Sequence, residues 1–121
     1  MSTSSSPSPS TVKKQQDLQT QYSTYKSALH QLAQKIGDVE QEAEEHKLVL
    51  ESLEPVEPGR KCFRLVNGVL VERSVGEVVP AVRTNAEGLK GVLEGLLKEY
   101  KKKQEEMERW KVKNNVQVVS R

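Results

Sequence analysis

Cys62, His46 and the carboxylates between Asp38 and Glu57 are the side chains here whose types could do chemistry, and their spacing decides whether they do. A thiolate nucleophile needs a base beside it, and a thiolate metal site needs further soft ligands at short, regular spacing. Cys62 is the only cysteine among 121 residues, and no local motif brings His30 or His46 to it. The sequence therefore has no disulfide framework and no zinc spacing, and Cys62 is expected to be a small buried hydrophobe. His46 has no second ligand-type residue spaced with it on its helix face, so it reads as a packing histidine. Neither a Gly-x-x-x-x-Gly-Lys loop nor a Gly-x-Gly-x-x-Gly run is present to cradle phosphate. No catalytic residue, cofactor or metal is expected, and the chain reads as no enzyme. The acidic run from Asp38 to Glu57 and the lysine-rich one from Lys98 to Lys113 read as solvated helix faces.

Composition points the same way. The chain is 35% apolar and 30% charged, with one Phe and one Trp, which suits long solvated helices with a narrow apolar seam better than a thick core. A net charge of +2 argues against a dedicated nucleic-acid binder. No apolar run approaches the roughly 18 residues that span a bilayer, and no signal peptide is visible, so an intracellular, soluble protein with no membrane contact is expected.

The strongest local signal is Lys61 to Ser74, KCFRLVNGVLVERS. Asn67-Gly68 tolerates positive φ at both positions, which a two-residue type I′ turn demands, and β-branched and aromatic residues flank it. The implied register sets Val66 opposite Val69, Arg64 opposite Val71 and Cys62 opposite Arg73. Phe63, Leu65 and Leu70 then share the other face. A lone two-stranded hairpin is marginal in water and has two open edges. No other segment reads as a strand, so the pairing strands are expected from other chains.

Two apolar seams flank that hairpin. The first runs Leu18, Tyr22, Tyr25, Leu29, Leu32, Ile36, Val39, Ala43, His46, Leu50, Leu53, and the second Val75, Val79, Val82, Ala86, Leu89, Leu93, Leu96, Tyr100, Lys103, Met107, Trp110. Steps alternating four and three are the heptad signature of a coiled coil. Each seam ends 35 positions after it begins, and such equal lengths are what an antiparallel coiled coil closing on itself requires. The expected register puts Leu53 near Val75, Ala43 near Ala86 and Tyr22 near Met107, in a rod roughly 55–60 Å long.

Boundaries follow from local signals. Residues 1–10 are Ser/Pro-rich and expected to be disordered, with Ser10 or Thr11 as helix N-cap. A helix is expected over 11–54, ended by Pro55, with strands over 61–73. A second helix, over 75–115, opens with a Ser74–Glu77 capping box and is kinked at Pro80. Residues 116–121 form a flexible end. Gly88, Gly91 and Gly95 fall on one outer face, and Val49 and Val78 are apolar but off the seam.

Four of the five aromatics, Tyr22, Tyr25, Tyr100 and Trp110, lie far from the hairpin, together with Leu18 and Met107. Gln15, Lys103 and Asn114 interrupt the seam at the same end. Two readings stay open. The aromatics simply end the coiled-coil core, or a loosely zipped tip presents apolar surface to something else.

Around the hairpin, Leu53-Glu54-Pro55, Arg60 to Arg64, Gly68 to Arg73, Val75 and Glu77 to Pro80 closely resemble the β-class prefoldin subunits. At motif level the resemblance covers about Leu53 to Asn85. It implies a mainly α fold: a long antiparallel two-helix coiled coil whose central hairpin joins a β-barrel shared between subunits. It implies assembly with two α-class and other β-class subunits through Phe63, Leu65, Asn67, Gly68, Leu70 and Val71. It further implies an ATP-independent cytoplasmic holdase that captures unfolded actin and tubulin and delivers them to the cytosolic chaperonin. With that activity, the concentration of aromatics at the far ends leads to the expectation that clients contact the tips, through Leu18, Tyr22, Tyr25, Tyr100, Met107 and Trp110. A coiled-coil scaffold with no client binding is the competing reading, and a lysine-dependent nucleic-acid complex a third.

Overall fold

The computed structural model describes residues 8–117. Helix α1 (Pro9–Leu53) leads into strands β1 (Lys61–Val66) and β2 (Val69–Ser74), and helix α2 (Val75–Lys113) follows directly. The fold is mainly helical, with one antiparallel hairpin between two long helices. Two compact units result. The hairpin unit holds Lys35–Leu97, and the helix-end unit holds the described residues on either side, 8–34 and 98–117.

The seam residues face inward throughout. Leu29, Leu32, Val75, Val82 and Met107 are buried and every other seam position is half-buried, including His46 and Lys103. Inside the hairpin unit, Leu53 shares a groove with Val75 and Val79, as the expected register requires. Inside the helix-end unit, Tyr25 meets Lys103 and Tyr22 meets Trp110, the seam position after Met107, so the helices run antiparallel there. Off the seam, Val78 is buried while Val49 stays exposed. An added Cβ at Gly88, Gly91 or Gly95 would meet open space.

The helix termini depart from expectation in instructive ways. α1 begins at Pro9, earlier than expected, and its N-cap is Ser8 rather than Ser10 or Thr11. The Ser8 hydroxyl accepts from the Thr11 backbone N–H at 3.3 Å. Proline at the first helical position has no N–H to leave unsatisfied and a preset φ, so the Ser-Pro pair starts the helix. Pro9 and Ser10 are therefore helical, while the remainder of the expected tail, residues 1–7, lies outside the described residues.

At the other end α2 stops at Lys113, two residues before its expected limit. Asn115 takes a left-handed φ of 51°, Val116 N–H donates to Lys111 O at 2.9 Å, and Asn115 N–H donates to Val112 O at 3.2 Å. Those two bonds are a Schellman cap, and asparagine is one of the few side chains that tolerate its left-handed position. The expected flexible end over 116–121 lies outside the described residues from 118 onward.

The start of α2 is capped by backbone. Val75 N–H donates to Arg60 O and Gly76 N–H to Pro58 O, both at 2.9 Å. No hydrogen bond joins Ser74 to Glu77 among the described residues, so the expected capping box does not form; Glu77 still places an acid in the first turn. Pro80 lies inside α2, and Thr84 Oγ1 donates to its carbonyl at 3.0 Å.

These loop bonds fix Gly76. A Cβ there would sit 3.3 Å from Pro58 Cβ and 3.3 Å from the carbonyl oxygen that its own N–H binds. Relief would require the loop to give by a few tenths of an ångström, which strains the hydrogen bond that docks it. Gly76→Val is therefore expected to destabilise the chain by about 1–3 kcal/mol. Urea denaturation of the assembled protein should show a lower midpoint, and an unchanged midpoint would mean that the loop yields freely.

Candidate functional site

The hairpin is the first candidate surface. Its six residue pairs match the expected register, with Val66 opposite Val69, Leu65 opposite Leu70 and Arg64 opposite Val71. Asn67 at φ 49° and Gly68 at φ 81° supply the two left-handed positions of a type I′ turn. Strand alternation puts Phe63, Leu65 and Leu70 on one face, where they are 63%, 67% and 64% exposed. Lys61 Nζ and Glu72 Oε1 pair at 3.3 Å on that face, but both side chains are exposed and the pair adds little. On the opposite face Val71 and Cys62 are half-buried. Cys62 is thus only partly covered, not the buried hydrophobe expected, because a two-stranded sheet has no second layer over it.

Beside this face lies a groove of about 420 Å³ lined by Val49, Leu53, Phe63, Val78 and Val82, with His46 and Arg64 also contributing. Val49 and Val78 lie off the seam in sequence, and the fold brings them into one groove with Phe63. His46 Nδ1 donates to the Glu42 carbonyl at 2.8 Å, which fixes the imidazole locally. Among the described residues no group of three or more His, Cys, Asp or Glu is placed to hold a metal ion.

The helix-end unit is the second candidate surface. Trp110 stacks on Tyr22 with ring centroids 6.4 Å apart and planes 13° from parallel. Tyr25 meets the same indole at 5.5 Å, tilted by 50°, and Trp110 Nε1–H donates to Gln21 Oε1. The Nζ atoms of Lys103 and Lys111 lie 5.9 and 5.7 Å from the Tyr25 and Tyr22 centroids, within cation–π range. Met107 is buried, and Leu18 and Tyr100 are half-buried, with Tyr100 outside the stacked group. Three of the six residues named for this end, Tyr22, Tyr25 and Trp110, are thus brought into one cluster.

Next to the cluster Leu18 and Tyr22 floor a groove of about 500 Å³ whose rim carries Gln15, Gln19, Asn114, Asn115 and Gln117. Sequence reading found Gln15 and Asn114 only as seam interruptions. The signal for the rest was Asn115, whose left-handed φ ends α2 and is followed by Val116 and Gln117 in the groove lining.

What the fold and surfaces define is a helix–hairpin–helix chain with an open apolar sheet face. No helix among the described residues is long and apolar enough to cross a membrane. The family described as "Prefoldin subunit" matches residues 16–121, and the chain belongs to that family. It is 50% identical over 106 residues to a probable prefoldin subunit 2 of Schizosaccharomyces pombe, covering 88% of this chain and 93% of that protein. To human prefoldin subunit 2 it is 40% identical over 88 residues, covering 73% of this chain but only 57% of the human protein. In fold it is similar to the prefoldin beta subunit of Thermococcus strain KS-1, with a TM-score of 0.72 at 21% identity over 81% of this chain and 86% of that one. The prefoldin resemblance read from the hairpin motif is borne out, and the family is one of non-enzymatic chaperone subunits.

Leu65 tests the sheet face. Leu65→Asp puts a carboxylate where a partner sheet would cover it, at a cost of several kcal/mol unless the group neutralises or reaches water. Size-exclusion chromatography should show the variant excluded from complexes with other prefoldin subunits. Full incorporation would assign assembly to another surface.

Proposed function

We propose that this chain is a β-class subunit of a cytoplasmic, ATP-independent heterohexameric holdase, assembled with two α-class and other β-class subunits. Family membership supports chaperone work. The observation that carries the assembly reading is the exposed Phe63, Leu65 and Leu70 face on a hairpin with two open edges. An apolar sheet face of this kind is stable when neighbouring strands extend the sheet and a second layer covers it. The barrel shared between subunits is that arrangement, with Asn67 and Gly68 setting the turn and Val71 the register.

In this proposal the helix ends, around Leu18, Tyr22, Tyr25, Tyr100, Met107 and Trp110, contact unfolded clients of the actin and tubulin kind, which pass to the cytosolic chaperonin. One helix end buries little area and binds weakly. Several on one body make later contacts intramolecular, raising avidity by about 10²–10⁴-fold. Contacts that are individually weak let go one at a time, so release needs no nucleotide.

A second reading has an observation behind it. Trp110 is satisfied within its own unit by Tyr22, Tyr25 and Gln21, and Met107 is buried, as a coiled-coil scaffold with no client binding would have them. Truncation separates the two. A complex whose subunit lacks the residues before Ala28 and after Leu97 should still assemble but should suppress aggregation of denatured actin less well. Undiminished suppression by an intact hexamer would favour the scaffold.

A further inference from the structure

We infer that the groove at the chain end of α2 reads polypeptide backbone, and that its occupant is an extended, uncharged segment of a non-native client. The inference rests on the proposal that the helix ends contact clients, and it names what one of those ends recognises. Five carboxamides, from Gln15, Gln19, Asn114, Asn115 and Gln117, rim the groove over Leu18. None of its lining residues carries a formal charge, in a chain whose composition is 30% charged. At about 500 Å³ it lies within the range of ligand pockets, about 300–1,000 Å³.

A carboxamide offers one carbonyl acceptor and two N–H donors, the same chemistry as a peptide group. It therefore pairs with backbone of any sequence, in either strand direction. Asn114 Nδ2 already donates to Trp110 O at 3.0 Å, which aims its Oδ1 and leaves that oxygen to accept. No side-chain hydrogen bond joins Gln15, Gln19, Asn115 or Gln117 to another described residue. Asn115 is held in place by the Schellman cap, so its position does not depend on a ligand. Below the rim, half-buried Leu18, Tyr22 and Val116 can receive one aliphatic side chain.

Such a groove distinguishes folding state rather than sequence. In native proteins more than about 90% of buried backbone N–H and C=O groups are already paired, whereas an unfolded segment presents them free. With no charged residue in the lining, and only Lys111 close to it beside Tyr22, binding is expected to depend on salt less than direct attraction to the lysines of α2 would.

A short, capped, uncharged peptide carrying one photo-leucine tests this, alongside an analogue N-methylated at alternate residues. N-methylation removes backbone donors while keeping every side chain. After irradiation of the assembled complex containing the full chain, mass spectrometry should place cross-links within residues 15–22 and 114–117. The analogue should give about tenfold lower yield, the loss of one to two hydrogen bonds. The double variant Gln15→Leu with Gln19→Leu, which keeps the bulk and raises apolarity, should lose a similar factor with the parent peptide. Equal yields for the two peptides, or undiminished yield in the variant, would replace backbone reading by apolar capture and leave client binding at this end intact. A yield that rises only when residues 118–121 are removed would make the chain's own end the occupant and overturn the inference. No cross-link to this unit in a complex that still suppresses aggregation would overturn both the inference and the client reading beneath it.

Discussion

An apolar sheet face that nothing in the chain covers is the constraint on which the rest depends. Among the described residues only Leu29, Leu32, Val75, Val78, Val82 and Met107 are buried. A seam that narrow is enough for paired helices, but it has no material left to cover Phe63, Leu65 and Leu70. Local sequence makes the hairpin inescapable, because Asn67-Gly68 sets its turn and the Pro58 and Arg60 carbonyls dock the preceding loop onto the start of α2. The strands form and are held against a helix terminus, yet their apolar side stays in water until other chains supply sheet. Membership in a family of subunits is the biological counterpart of that shortfall.

The helix-end unit meets its own problem differently. Its seam carries the largest side chains together with Lys103, and it resolves the mismatch by stacking. The Trp110 indole takes both tyrosines and the Gln21 carboxamide, while Lys103 and Lys111 approach the tyrosine rings. Packing of this kind leaves Tyr22, Tyr25 and Trp110 half-buried, with the carboxamides of Gln15, Gln19, Asn115 and Gln117 exposed nearby. Any client chemistry at this end is therefore a mixture of modest apolar area and amide hydrogen bonding, which suits contacts that must also be lost.

Much of this was legible in the sequence, because both signals involved are periodic. Every residue the four-three spacing named faces inward, down to His46 and Lys103, though the spacing missed buried Val78, and the turn dipeptide fixed every pair of the hairpin. What stayed hidden depends on contacts between segments. Ser8 outcompetes Ser10 as N-cap because Pro9 fits the first helical position, and the carbonyls of Arg60 and Pro58 take the first two N–H groups of α2 because the loop folds back within reach. Cys62 is half-covered because burial in a sheet needs a second layer. The amide-rimmed groove joins residues almost a hundred positions apart, and no local window contains it.

Hydrogen exchange of the hairpin amides is the most direct test of the account. The pair closing the turn, Val66–Val69, exchanges both ladder bonds, so the alternate pairs Leu65–Leu70 and Phe63–Glu72 point their N–H groups outward. The amides of Phe63, Leu65, Leu70 and Glu72 should exchange freely in the isolated chain. They should slow by orders of magnitude on assembly with other prefoldin subunits. Unchanged exchange at these four positions in a fully formed complex would contradict the claim that the hairpin's open edges are what assembly completes.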